Sequence, residues 1–171
     1  MLRQRAAPVA SFDDELRRLV EDLRETMLAY HGVGLAANQV GVTQRVAVVD
    51  VPIDEEHRAA YTLVNPEIVA RSGSEVGEEG CLSIPGIYDD VTRSFEVKVR
   101  AQNEHGQPIE LTADGYLARA IQHEIDHLDG VLFVDRLSPL KRQFLRRALE
   151  SLARGERPEG YGPATGTGES I

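Results

Sequence analysis

The sequence predicts one compact α+β domain, on three observations. Apolar residues recur at helical spacing in two separate stretches, near residues 12–30 and 115–128. Residues 95–101 alternate apolar with polar, as a half-buried strand does. A turn at 103–106 then leads into further strand-like sequence, so an antiparallel pair is expected. A chain of 171 residues, 42% of them hydrophobic, suits a single domain with its own core.

The first helix is expected from about Phe12 to Tyr30, with Ser11 as its cap, Asp13 and Asp14 in the first turn, and Leu16, Val20, Leu23 and Met27 on one face. Gly32, Gly34 and Gly41 break that periodicity. The β-branched run from Arg45 to Val51 then reads as a buried strand. Residues 61–65 and 67–70 read as strand material interrupted by Pro66, and residues 95–101 and 107–111 as the antiparallel pair, with His105 a solvated turn residue.

Asp114 is placed to cap a second helix from about Gly115 to Leu128, whose stripe of Leu117, Ile121, Ile125 and Leu128 lies beside a face bearing His123 and His127. Gly130 ends it, and Val131–Val134 reads as a short strand. Ser138 and Pro139 open a third helix carrying Leu140, Phe144, Leu145 and Leu149. The folded unit is expected to span residues 1–154. Residues 155–171 turn to Gly, Pro, Thr, Ser and Glu without periodicity, the composition of a disordered tail.

A formal net charge of −9 and a pI near 5.0 argue against a nucleic-acid-binding surface. The basic cluster of Lys141, Arg142, Arg146 and Arg147 falls at helical spacing and reads as a solvated helix face. No apolar run approaches the roughly 20 residues that span a bilayer, and no signal-peptide core follows Met1, so a soluble, cytoplasmic protein that does not engage membranes is expected. Cys81 is the only cysteine, which rules out an intrachain disulfide.

The chemistry concentrates in Gln122-His123-Glu124-Ile125-Asp126-His127. Two imidazoles four residues apart on a helix project from one face at chelating separation, with Glu124 between them. A divalent cation held there can acidify a water, and a carboxylate in reach can take and return a proton during acyl hydrolysis. Two imidazoles alone hold a metal weakly, so a third ligand is needed: Cys81 or a downstream carboxylate. Gly80 directly precedes Cys81 and allows close approach of the backbone there, which favours the thiol over its alternative as an inert buried side chain. One thiolate and two imidazoles leave a fourth position open, as catalytic sites do.

Three stretches together resemble the signature motifs of peptide deformylases: residues 31–39 (HGVGLAANQ), 79–83 (EGCLS) and 122–130 (QHEIDHLDG). They stand in that family's order, and the likeness runs from about Leu2 to Leu152. The resemblance implies mixed or antiparallel sheets packed around a central metal-binding helix, flanked by an N-terminal and a C-terminal helix. It implies that Cys81, His123 and His127 bind one divalent metal, that Glu124 is the general acid/base, and that the Gln39 amide and the Leu82 backbone N–H stabilise an oxyanion. Ferrous iron is the implied cellular metal, with zinc, nickel or cobalt accepted. The implied reaction removes the formyl group from N-formylmethionine on newly made peptides, releasing formate. Gly34, Val40, Gly41, Ile84, Gly86 and Ile121 are the residues expected to line an apolar slot for the methionine or to offer backbone groups to an extended peptide. Arg93 is expected to pair with Asp126. A monomer is expected, with transient association to the ribosome.

Two departures stand out. Family members carry about ten further residues before the point matched by Leu2-Arg3, so either the true start lies upstream or an edge element is gone and sheet surface exposed. Tyr88 stands where many relatives place a charged residue, which is expected to alter preference beyond the first substrate residue. An ordinary zinc protease is the main rival. It needs a downstream His or Glu ligand, yet no His follows His127, and Glu150 sits on the basic last helix. A noncatalytic protein that holds blocked N-termini is a second rival, against which Glu124 and Gln39 argue, because binding alone requires neither.

Overall fold

A computed structural model describes residues 2–156. Within them the chain order is α1 (Asp14–Ala29), β1 (Gly34–Ala36), β2 (Val46–Pro52), β3 (Arg58–Ser72), β4 (Glu75–Cys81), β5 (Ile84–Arg93), β6 (Glu96–Gln102), β7 (Pro108–Asp114), α2 (Gly115–Leu128) and α3 (Pro139–Ala153), with 3-10 turns at Ala37–Val40 and Phe133–Arg136. Strands β1-β2-β3-β6-β7 form one sheet in that order, and β4 pairs with β5 in a second. All these pairings are antiparallel. The α+β expectation holds.

The alternation of β2 explains the layering. Val46 and Val48 pack on one face with Leu16, Val20, Leu23 and Met27 of α1. Ala47, Val49 and Val51 point to the other face, toward Leu128, Ile121 with Ile125, and Ala120 of α2. Residues 46–49 are buried on both faces, which is why this run is apolar without a polar alternation. A third cluster joins Ile84, Ile87 and Val91 of β5 to Phe133, Val134 and Leu145. Each such side chain contributes about 1.5–3 kcal/mol on burial. Residues 118–128 are buried without exception, so α2 runs through the interior carrying polar side chains with it.

Several local expectations change. The cap of α1 is Asp13, which accepts the Leu16 N–H at 3.0 Å, not Ser11. Asp114 stands at the N-cap of α2 without capping through its side chain. Pro66 does not split its strand: β3 runs through it, because the proline falls at a register shift beside Asn65 (φ 52°), where a missing N–H breaks no ladder bond. Val131–Val134 is not a strand, since Asp135 accepts the Leu132 N–H at 2.9 Å and curls the segment into a 3-10 turn. On α3 only Leu145 and Ala148 are buried, while Leu140 and Phe144 are 62% and 73% exposed, because that helix touches the β4–β5 cluster along one narrow side. Strands β1, β4 and β5 carry too little alternation to be read in sequence. The expected disordered tail lies outside the described residues from 157 onward.

The N-terminal segment lies over the end of α2. Ala6 donates to the Leu128 carbonyl at 2.8 Å, and Ala7 pairs with the 43–45 segment through two further backbone bonds. Gly130 (φ 76°) makes this passage possible, since a Cβ there would meet the Arg3 carbonyl oxygen at 2.6 Å.

Candidate metal centre

Strand β4 ends on Cys81 and α2 presents His123 and His127 one turn apart, so a hairpin and a helix distant in sequence deliver the three donors. Their ligand atoms lie within 4.8 Å of one another, and all three residues are buried. His123 Nε2 and His127 Nε2 are 3.1 Å apart, and Cys81 Sγ is 3.2 Å from His127 Nε2. Two nitrogens and a sulfur around a tetrahedral cation would be separated by about 3.3 and 3.6 Å. The donor set therefore fits a divalent metal in chemistry, and these two separations are close to those such an ion would impose.

His123 Nδ1 lies 3.0 Å from Glu79 Oε2. Burial alone would raise the Glu79 carboxyl, but Arg93 and His123 outweigh it and hold the group down at about 2. An ionised carboxylate only accepts, so Nδ1 carries a hydrogen and Nε2 is the nitrogen that faces the centre. Burial pushes the metal-free Cys81 thiol up to about 12, with the Glu124 charge adding to it. Burial, then His123, drives His127 well below the usual imidazole range and keeps it neutral. The His127 backbone is fixed through its carbonyl, which accepts from Asn38 Nδ2.

Glu124 is fully buried, and neither carboxylate oxygen has a hydrogen-bond partner among the described residues. Burial, reinforced by the Glu79 charge, holds it well above the usual carboxylate range. It packs on Gly34, where a Cβ would lie 2.4 Å from Oε1. Gln39 is anchored by the Ala36 N–H donating to Oε1 at 2.8 Å. Its Nε2 donates to Ser83 Oγ at 3.1 Å and stands 3.7 Å from Cys81 Sγ.

The sequence profile of the family described as polypeptide deformylase matches residues 1–143. This chain belongs to that family. It is similar to the peptide deformylase of Alkalilimnicola ehrlichii, 55% identical over 153 residues covering 90% of this chain and 85% of the relative. Among solved structures it is similar to a peptide deformylase from Legionella pneumophila (TM-score 0.80, 48% identity, 92% and 93% of the two chains). A second, from Thermus thermophilus, gives a TM-score of 0.81 at 44% identity, covering 90% of each. As a member of the family the protein is a metal-dependent hydrolase that removes the N-formyl group from newly made peptides.

The remaining expected residues fall in different surroundings. Leu82 sits in the β4–β5 turn and packs its side chain into the α1 cluster. Gly41 (φ 91°) and Val40 are exposed beside Gln39, and Gly86 (φ 80°) is half-buried in β5. Ile84 pairs in register with Cys81, whereas Ile121 is fully buried in another cluster with Val97 and Val99. Arg93 pairs with Asp126, as expected, and grips Glu79 at 2.8 and 2.9 Å as well. Sequence reasoning assigned no role to Glu79 or to Arg119, which donates to Glu79 at 2.9 Å. The available signal was that Glu79 stands two residues before Cys81, on the same side of a strand.

Proposed function

We propose that Cys81, His123 and His127 hold one divalent ion and that Glu124 moves the proton in deformylation. The convergence of three buried donors beside an unpartnered buried carboxylate carries this reading. A cation in this set would polarise the formyl carbonyl and make a water more acidic. Glu124 accepts the proton that the attacking water loses. It returns that proton to the peptide nitrogen as the C–N bond breaks, leaving formate and a free amine. Gln39 Nε2 and the Leu82 N–H donate to the carbonyl oxygen as it becomes negative, a contribution of about 2.7–4 kcal/mol for one such donor.

Residues 1–154 form the catalytic unit on this reading. Gly34, Val40, Gly41, Ile84, Gly86 and Ile121 shape the place of the formylmethionine and the chain that follows it. Ferrous iron is the working metal, with zinc, nickel or cobalt as substitutes, since a mixed sulfur and nitrogen set accepts all four. The enzyme works as a cytoplasmic monomer that meets the nascent chain at the ribosome.

Protein prepared without oxygen should contain one equivalent of metal and release formate from a formyl-Met peptide without cleaving casein. Glu124→Ala should keep the metal and lose turnover. Full turnover in that variant would remove Glu124 from the proton path, and cleavage of casein would favour a protease.

A further inference from the structure

Beside α2 is a cleft of about 120 Å³ lined by Arg71, Thr92, Arg93, Ser94, Gln122 and Arg136. Three guanidiniums meet here in a chain whose formal charge is −9. Like charges so close need compensation, and what the protein supplies is short. Arg93 divides itself between Glu79 and Asp126. Arg136 turns to the same Asp126 through Nε at 3.0 Å and Nη2 at 2.6 Å, and Arg119 turns to the same Glu79. Arg71 donates to the neutral Gln122 at 3.0 Å and makes no ion pair among the described residues.

Gln122 has no capacity to spare. Its Oε1 also takes the Ser94 N–H at 3.2 Å, and its Nε2 donates to the Ser94 and Ala118 carbonyls. The cleft is therefore rich in donors and positive charge and poor in acceptors. We propose that it binds a free tetrahedral oxyanion of the phosphate class, gripped by Arg71 and Arg136 with Arg93 behind them. Guanidiniums match such oxygens in pairs. The volume admits one such ion and little more. Gln122 and Asp126, both bonded to the arginines around the cleft, immediately precede His123 and His127 on α2, so an occupied cleft stiffens the helix that carries both imidazole donors.

The test titrates inorganic phosphate into metal-loaded, full-length protein at constant ionic strength balanced with chloride. The thermal midpoint of the wild type should rise by about 4 °C at twenty times the dissociation constant, and Arg71→Gln should lose the rise. Because Arg71→Gln keeps all three metal donors, a rise of equal size in that variant would mean phosphate acts at the metal or non-specifically, and would overturn the proposal. So would the absence of any rise in the wild type. Should the variant fold poorly, broadening of the phosphate ³¹P resonance by the wild type decides instead: displacement by sulfate but not by nitrate supports the cleft, and no broadening refutes it.

Discussion

Replacing Gly34 by alanine probes the acid/base carboxylate without altering it. The added Cβ would lie 2.4 Å from Glu124 Oε1 and 2.9 Å from its Cδ and Cγ, where ordinary contact begins near 3.4 Å. The carboxylate oxygen must therefore retreat by about 1 Å, and full burial leaves it no open side to retreat into. The backbone is not at issue, since Gly34 lies in β1 and is not among the positive-φ glycines. A displacement of 1 Å in a catalytic group costs about 10²-fold in rate. Overpacking of this kind costs about 1–3 kcal/mol, or roughly 2–4 °C of thermal midpoint for each kcal/mol. Gly34→Ala should thus release formate from a formyl-Met peptide about a hundredfold more slowly, with metal content unchanged, because Gly34 supplies none of the three donors and the atoms nearest the added Cβ all belong to Glu124. A rate within about threefold of the wild type, with metal and fold intact, would refute the claim that this contact aims Glu124.

Three further outcomes follow from the buried charges. Glu79→Gln should weaken metal binding by about 10–100-fold, read by chelator competition, because His123 loses the carboxylate that orients its ring. The Glu79 carboxyl is held at about 2 in the folded protein against an ordinary 4.5, so its stabilisation is complete above 4.5 and drains away as pH falls toward 2. That amounts to about 3 kcal/mol, and the acid limb of an unfolding profile should flatten in Glu79→Gln. Metal uptake should release the Cys81 proton, because that thiol sits at about 12 when metal-free. Affinity should then rise about tenfold per pH unit between 6 and 8, and a pH-independent affinity would exclude thiolate ligation.

Much of this molecule was legible from local pattern. Helices α1 and α2 announced themselves through apolar spacing, β6 through alternation, and β2 through its β-branched run, since each of these signals is carried by neighbours along the chain. Strands β4 and β5 were not, because Gly77, Gly80, Pro85 and Gly86 interrupt them and their partner is each other rather than a continuous core. The exposure of Leu140 and Phe144 was also hidden. Periodicity says that a helix has an apolar face but not how wide a surface it meets.

The site divides along the same line. His123, Glu124 and His127 share one helical face, so spacing alone fixed their relation and with it the case for a metal. That Cys81 completes the set is a matter of a hairpin delivering its sulfur to 3.2 Å from His127, a contact across 46 positions that no local rule reaches. The same holds for Glu79, whose role exists only because Arg93, Arg119 and His123 converge on it from another strand and a helix. Periodicity and motif determined which chemistry the chain carries. Only tertiary packing decided which buried charges neutralise one another, because that depends on distances between segments that the linear order leaves free.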